Sequence, residues 1–506
     1  LKNIRTWLCA AALALSGCAS NVTLSPDASG KGGGLAPEEG AVAFRVTTTQ
    51  LGINQFFAYW NIAEVGRVKA GDDLLKYEIG YERAGALGSA TYFGKLPPGR
   101  YYISKFDSTQ CGAMCITAKL FLPFEQRQFT VTKGQVTYLG NIVHQPLGGT
   151  AVRVAAPENV NPDEFRDWLK AFRPDLEKYP VVAQTLAPTV SDAMYQGTLA
   201  AGAGLLHPTA IGGDSVLFSS QAGGLRQWTT SGIRYIPSGS PSMIHAVLPL
   251  TDRRWLVGGD FKVLRQTDDA GRSWRDVPVN LPYGAIRELF RNTRGQTVVV
   301  VERPNEVLVY AGDLVSDVWT RVFAQEYVFD FWRGVVRSPI VSLTGSDLLL
   351  ALPDGKGALI DIDALQATSF EFPGGLMSAA YTADGALRCR CNKSGFWVNP
   401  WISRDRGKTW AEDTIDRGMA LPQFRDKRFG LATLGPEIMV TRDGGATWAS
   451  AHKIERPYMP SPLAPMAMSY TFLGSSTIVA SDGAANVLRS DDGGTTWKHE
   501  WPRTKN

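Results

Sequence analysis

The chain has 506 residues, 44% of them hydrophobic and 20% charged, the balance of a soluble globular protein too long for one ordinary domain. Its net charge is +4, and Lys2 and Arg5 lie in a segment expected to be removed, which leaves about +2. With no basic stripe carrying interleaved aromatics, that charge argues against a nucleic-acid partner.

The first residues read as an export signal. LKNIR is a short basic stretch, and TWLCAAALAL is an apolar run too short to cross a bilayer comfortably. LSGC follows at 15–18. Together they resemble a bacterial lipoprotein signal, which implies removal of 1–17, lipidation of Cys18 and a membrane anchor. Ala19 after the cysteine would suit the outer membrane if the cell is Gram-negative. An ordinary secretory peptide that happens to contain a cysteine is the other reading. Residues 18–40, rich in Gly, Ser, Pro and Ala, read as a flexible tether. Its reach would be roughly 25 Å.

Residues 41–146 alternate apolar and polar side chains in AVAFRVTTT, TYFGKL, RYYISKF and QFTVTKGQVTYLGNIV. The pair LPPGRYYI and FTVTKGQVTYLGNI resembles the closing strands of transthyretin-like sandwiches. That implies a small β-sandwich serving as spacer or interaction module. Cys111 and Cys115 (CGAMC), like Cys389 and Cys391 (CRC), form local pairs that export would favour as disulfides. The five histidines show no metal-ligand spacing, so neither metal nor cofactor is expected.

Residues 147–195 read as a helical connector. In NPDEFRDWLKAF, Asn161 suits the N-cap, Pro162 the first turn, and Asp163 and Glu164 the positive end of the dipole. Phe165, Trp168, Leu169 and Phe172 share one face, which is expected to pack against a neighbouring domain.

From 196 to 506 the chain is periodic. TDDAGRSW (267–274), SRDRGKTW (403–410), TRDGGATW (441–448) and SDDGGTTW (490–497) repeat one motif. Aromatics at 228, 274, 319, 370, 410, 448 and 497 mark seven units, 38 to 51 residues apart. About four strands per unit is the blade of a β-propeller. The four boxes resemble the Asp-box or BNR repeat of sialidases, sortilin-type domains and photosystem assembly factors. The expected fold is therefore all-β, a small N-terminal β-sandwich followed by a seven-bladed β-propeller. In each box the Asp (Asp269, Asp405, Asp443, Asp492) is suited to hold its own turn. The Gly (Gly271, Gly407, Gly445, Gly494) permits a left-handed residue. Thr496 offers a hydroxyl to the backbone, and the Trp (Trp274, Trp410, Trp448, Trp497) can bury. These acids read as scaffold.

Binding is expected on the opposite loops. Tyr283 and Arg287 in LPYGAIREL, Tyr327, Trp332 and Arg333 in EYVFDFWRG, and Arg456 and Tyr458 in IERPYMPSP are the candidates. Phe329 and Phe331 read as strand interior. A sialidase would need an arginine cluster with a Tyr–Glu pair, and Arg234 in IRYIP does not occupy the family's first arginine position. A glucanase-type acid pair among Asp260, Glu302, Asp330 and Asp354 is conceivable, with nothing to select two. The sequence thus points to a lipid-anchored envelope binding protein, an adaptor, assembly factor or glycan-binding module. The alternatives are a glycoside hydrolase of sialidase or glucanase type, and a propeller that packs only against its own N-terminal domain.

Overall fold

The computed structural model describes residues 22–24, 33–48, 62–68, 76–84, 89–111, 115–121, 128–148, 151–157, 160–186, 205–220, 223–328, 338–392, 398–454, 468–482 and 486–501. Cys18 and the expected signal segment, 1–17, lie outside them. Among these residues the C-terminal part forms seven antiparallel sheets, each of four strands consecutive in the chain. They are blade 1 (206–237), blade 2 (244–276), blade 3 (285–326), blade 4 (340–371), blade 5 (375–412), blade 6 (423–453) and blade 7 (469–501). The fold is an all-β propeller.

The second strands of blades 3 and 4 have apolar side chains on both faces because neighbouring blades cover both. Val298–Val301 of blade 3 and Leu348–Leu350 of blade 4 are all buried. The ring closes by side-chain packing rather than by exchange of a strand. Leu205, Val216, Phe218 and Trp228 of blade 1 meet Val479 and Val487 of blade 7. Arg489 bridges to Asp214 at 2.8 Å across the same seam.

Two of the seven marker aromatics do not occupy the expected place. Trp274, Trp319, Trp410, Trp448 and Trp497 stand at the start of a fourth strand, whereas Trp228 lies on a third strand, Gly224–Thr229. Phe370 stands near the end of the fourth strand, Gln366–Glu371. Periodicity counts blades correctly but is blind to a one-strand frame shift, because every strand brings an apolar residue to the core. Blades 3 and 4 turn the box corner with Asp313 and Asp361, each accepting two nearby backbone N–H groups.

The eleven described N-terminal strands form one hydrogen-bonded sheet, eight in a continuous order and three paired at its side. On the strand Gly40–Thr48 the period of two sends Val42, Phe44 and Val46 into one core with Ile79, Ile103 and Phe106. Ala41 and Ala43 face the other way, where their small side chains let the helix α1 (Asp163–Phe172) approach. Asn161 Oδ1 accepts the N–H of Asp163 at 3.1 Å at its start. Phe165 stacks on Tyr138 at 5.0 Å and on Trp168 at 4.8 Å. Each such ring pair is worth about 0.5–1.5 kcal/mol beyond its buried area.

The structure corrects two boundaries. The connector is not separate: Ala151–Ala155 and Val181–Ala183 pair with the strand Val136–Gly148, and α1 lies on the same sheet. Nor is all of 18–40 a free tether. Val22–Leu24 pair in parallel with Tyr77–Ile79, covering an edge that would otherwise expose backbone groups. Leu35 is buried beside α1, and its carbonyl accepts from the Tyr179 hydroxyl at 3.2 Å. Cys111 and Cys115 are backbone partners across a hairpin. Cys389 and Cys391 are joined as a disulfide within the core of blade 5.

Candidate functional site

In an antiparallel blade the turns between strands one and two and between three and four share one end. The turns between two and three and the blade-to-blade connections share the other. The boxes occupy the first end, and all four are built alike. The Ser490 hydroxyl donates to Asp492 Oδ1 and its oxygen accepts the N–H of Gly494, both at 2.8 Å. Thr496 donates its N–H to Oδ1 at 2.8 Å and its hydroxyl to Oδ2 at 2.6 Å. Thr496 thus bonds the carboxylate, and the first residue of the box serves the backbone. The threonine hydroxyls bonded to Asp405, Asp443 and Asp492 are the first cause holding these acids at about 2. The Ser273 hydroxyl likewise holds Asp269 well below the usual range. Gly271, Gly407, Gly445 and Gly494 have φ between +81° and +92°. Trp497 is buried, and Trp274, Trp410 and Trp448 are half-buried.

The opposite, loop end holds the sequence candidates, but not as an open surface. Trp332, Arg333, Arg456 and Tyr458, with Phe329, Phe331 and Asp330, lie outside the described residues. Tyr283, Arg287 and Tyr327 are described, and each is used internally. The Tyr283 hydroxyl accepts from Arg45 Nη2 of the N-terminal module at 2.8 Å, and its ring meets Phe172 of α1 edge-on at 5.6 Å. Arg45 also lies over Phe261 at 4.0 Å and donates to the Glu164 carbonyl at 3.1 Å. The N-terminal module therefore sits on the loop end of blades 2 and 3. Sequence reasoning exposed these residues because it could not see what would cover them.

Beneath that contact lies an ionic cluster assembled from several strands. His245 Nε2 and Asp260 Oδ1 are 2.7 Å apart, both side chains buried. His245 Nδ1 is 3.2 Å from Arg287 Nη1. Arginine only donates, so Nδ1 accepts, Nε2–H donates to Asp260, and the imidazole is neutral. Burial, then the neighbouring Arg287, lowers the His245 pKa in agreement. Arg287 Nε lies 3.1 Å from Glu302 Oε2, and the Tyr327 hydroxyl donates to Glu302 Oε1 at 3.2 Å. Burial raises Glu302, and burial with the Glu302 charge raises Tyr327. Glu288 Oε1 stands 4.0 Å from His207 Nδ1. Burial pushes Glu288 up to about 8, and desolvation by the surrounding protein, then Arg287, lowers His207, although its side chain keeps 44% of its exposure.

Sequence reasoning passed over the two histidines as scattered. The signal was positional. The register of the first strand skips a residue at His245 in blade 2, Arg287 in blade 3 and Met377 in blade 5. In blade 1 it skips His207 and Pro208. Such bulges re-aim a side chain. Two acids of the conceivable glucanase set, Asp260 and Glu302, do converge, while Asp354 pairs with Lys356 at 2.8 Å. A Tyr–Glu pair is also present. Yet Tyr327 is 5% exposed and donates to a carboxylate that raises its pKa, the opposite of an activated nucleophile. Among the described residues no group of His, Cys, Asp and Glu is arranged to hold a metal ion.

Beside the docked module a groove of about 620 Å³ opens between blades 3 and 4. Its walls are the 303–306 turn, the strand end at Glu326 and Val328, and Lys356, with Tyr327 as floor. Arg303 pairs with Glu306 at 3.0 Å and faces the Phe172 ring at 5.9 Å, so the helix borders the groove. Val328 is 68% exposed.

No family model matches the chain, and no curated protein does. Several solved structures are similar. YCF48 bound to a D1 peptide aligns at 16% identity and TM-score 0.42 over 57% of this chain and 93% of its own. YCF48 from Cyanidioschyzon merolae aligns at 13% and 0.41 over 57% and 95%. The Cps50 (Swd1) β-propeller domain of Myceliophteria thermophila aligns at 12% and 0.36 over 55% and 93%.

Proposed function

We propose that this chain is a lipid-anchored binding protein of the cell envelope that engages a protein segment at the loop end of blades 3 and 4. The observation that carries the reading is the groove, a concave site on the propeller's loop end, bordered by the docked N-terminal module. Its chemistry suits a polypeptide. Paired charges at the rim, Arg303 with Glu306 and Lys356 with Asp354, can exchange partners with a ligand's own charges. Val328 offers apolar area. A sugar site would favour an exposed ring for stacking, and the groove's aromatic, Tyr327, is buried with its hydroxyl engaged. The membrane anchor would be the lipid on Cys18.

The second reading, a glycoside hydrolase, draws on the convergence of Asp260, Glu302, Arg287 and Tyr327. Among the described residues Asp260 and Tyr327 are buried, Arg287 and Glu302 are largely covered and paired with each other, and the Tyr327 hydroxyl is engaged by Glu302.

The test is capture of envelope proteins by the immobilised ectodomain, beside a variant carrying Arg303→Glu and Lys356→Glu. These half-exposed rim positions should leave folding intact. A protein retained by the wild type and lost by the folded variant is the expected result. Equal retention by both would remove the groove from the reading. Turnover of fluorogenic glycosides that vanishes in Glu302→Gln would replace it with the hydrolase.

A further inference from the structure

We infer that one end of the N-terminal module rests directly on an anionic lipid surface, rather than standing off it on a leash. The inference rests on the lipid-anchor reading of Cys18 and specifies how the anchored protein meets the membrane. Its first ground is length. Val22 is a strand residue, paired with Tyr77, so the anchor residue is only four positions from fixed structure. Fully extended chain covers at most about 3.6 Å per residue, so Cys18 lies within about 14 Å of the module. The strand runs parallel to Lys76–Ala84, which makes the chain leave Val22 towards the end where Lys76 begins.

Its second ground is what stands at that end. The strand Ile62–Arg67 finishes there and the strand Gly99–Cys111 starts there, because Arg67 pairs with Tyr101 and Gly66 with Lys76. The turn at Pro97–Pro98 closes the same edge. Arg67 donates to the neutral carbonyl of Pro98 at 2.8 Å, and the exposed Arg100 to the neutral amide of Gln128 at 2.9 Å. Their bonds therefore leave the positive charges uncancelled. Among the described residues Lys76 is balanced by Glu64 at 2.9 Å and, further along, Lys133 is paired with Glu38, which leaves Arg67 and Arg100 without a carboxylate partner. A cation near an anionic bilayer is worth about 1 kcal/mol, or roughly fivefold in partition. A short covalent leash and a cationic rim favour the same contact.

The test uses the full lipidated chain in vesicles of phosphatidylethanolamine with one quarter phosphatidylglycerol. Mass spectrometry of the N-terminal peptide first establishes the lipid on Cys18. A photo-crosslinking residue then replaces Pro98 at the proposed contact, or Val315, which is 95% exposed in a turn of blade 3, as the distant control. The expected result is lipid adducts at position 98 and not at 315, with the yield at 98 falling at least fivefold in Arg100→Glu. A lipidated chain with position 98 silent, or no more reactive than 315, overturns this inference and leaves the anchor standing. An unchanged yield in Arg100→Glu overturns the role given to the cationic rim in making the contact. A chain without lipid on Cys18 removes both.

Discussion

Two sets of acids occupy opposite ends of the propeller, and their environments drive them in opposite directions. At the box end Asp405, Asp443 and Asp492 are held at about 2 by hydroxyl and backbone donors from their own loop. At the loop end burial raises Glu302 and pushes Glu288 to about 8. The residue type is nearly the same; what differs is who supplies the partners. A box acid is satisfied within four residues of itself. The loop-end acids depend on side chains from other strands, such as Glu302 with Arg287 and Tyr327, under a docked module. Local satisfaction makes scaffold, and assembly from distant strands makes a site whose properties follow the whole fold.

The contrast can be broken most sharply at Asp260. Asp260→Ala removes the buried partner of His245 and should cost about 3 kcal/mol, read by denaturant unfolding. A cost below that of a box substitution would mean that the cluster does not stabilise the fold. A smaller effect is expected from Glu288→Gln, as a change of slope. The folded pKa of Glu288, about 8, lies above its ordinary 4.5, so the folded state binds the extra proton between them. Stability linked to this group is fully present below about 4.5 and is lost as pH rises towards 8. The glutamine variant should flatten that stretch of the stability–pH curve and leave the acid limb alone. The smallest effect belongs to Asp492→Asn. Because the box carboxylate titrates at about 2 in the fold, its contribution is present at neutral pH and lost as pH falls through 4 to 2. Acid unfolding of the variant should begin at the same pH or higher, with less dependence over that interval.

Much of the scaffold could be read from residues alone because its determinants are short. SDDGGTTW closes its hydrogen bonds within itself, and its glycine has the positive φ that the motif implies. The stripe of Phe165, Trp168 and Leu169 announced a buried helix face, though not that Ala41 and Ala43 would receive it. The frame of blades 1 and 4 was misread because Trp228 and Phe370 are apolar at the expected interval on the wrong part of a strand. The site was less legible. Tyr283 was marked for its chemistry, and the structure spends that chemistry on Arg45, 238 positions away.

The sequence by itself determined the number of blades, the self-satisfied box turns and the amphipathic helix, since each is decided by contacts within a few residues or by a repeat of them. Tertiary structure alone decided that His245, Asp260, Arg287, Glu302 and Tyr327 would meet, that the N-terminal module would lie over them, and that a groove would remain beside it. Those outcomes depend on desolvation and on distances between chain segments far apart in sequence, which close only when the blades stack into a ring and the module docks upon it.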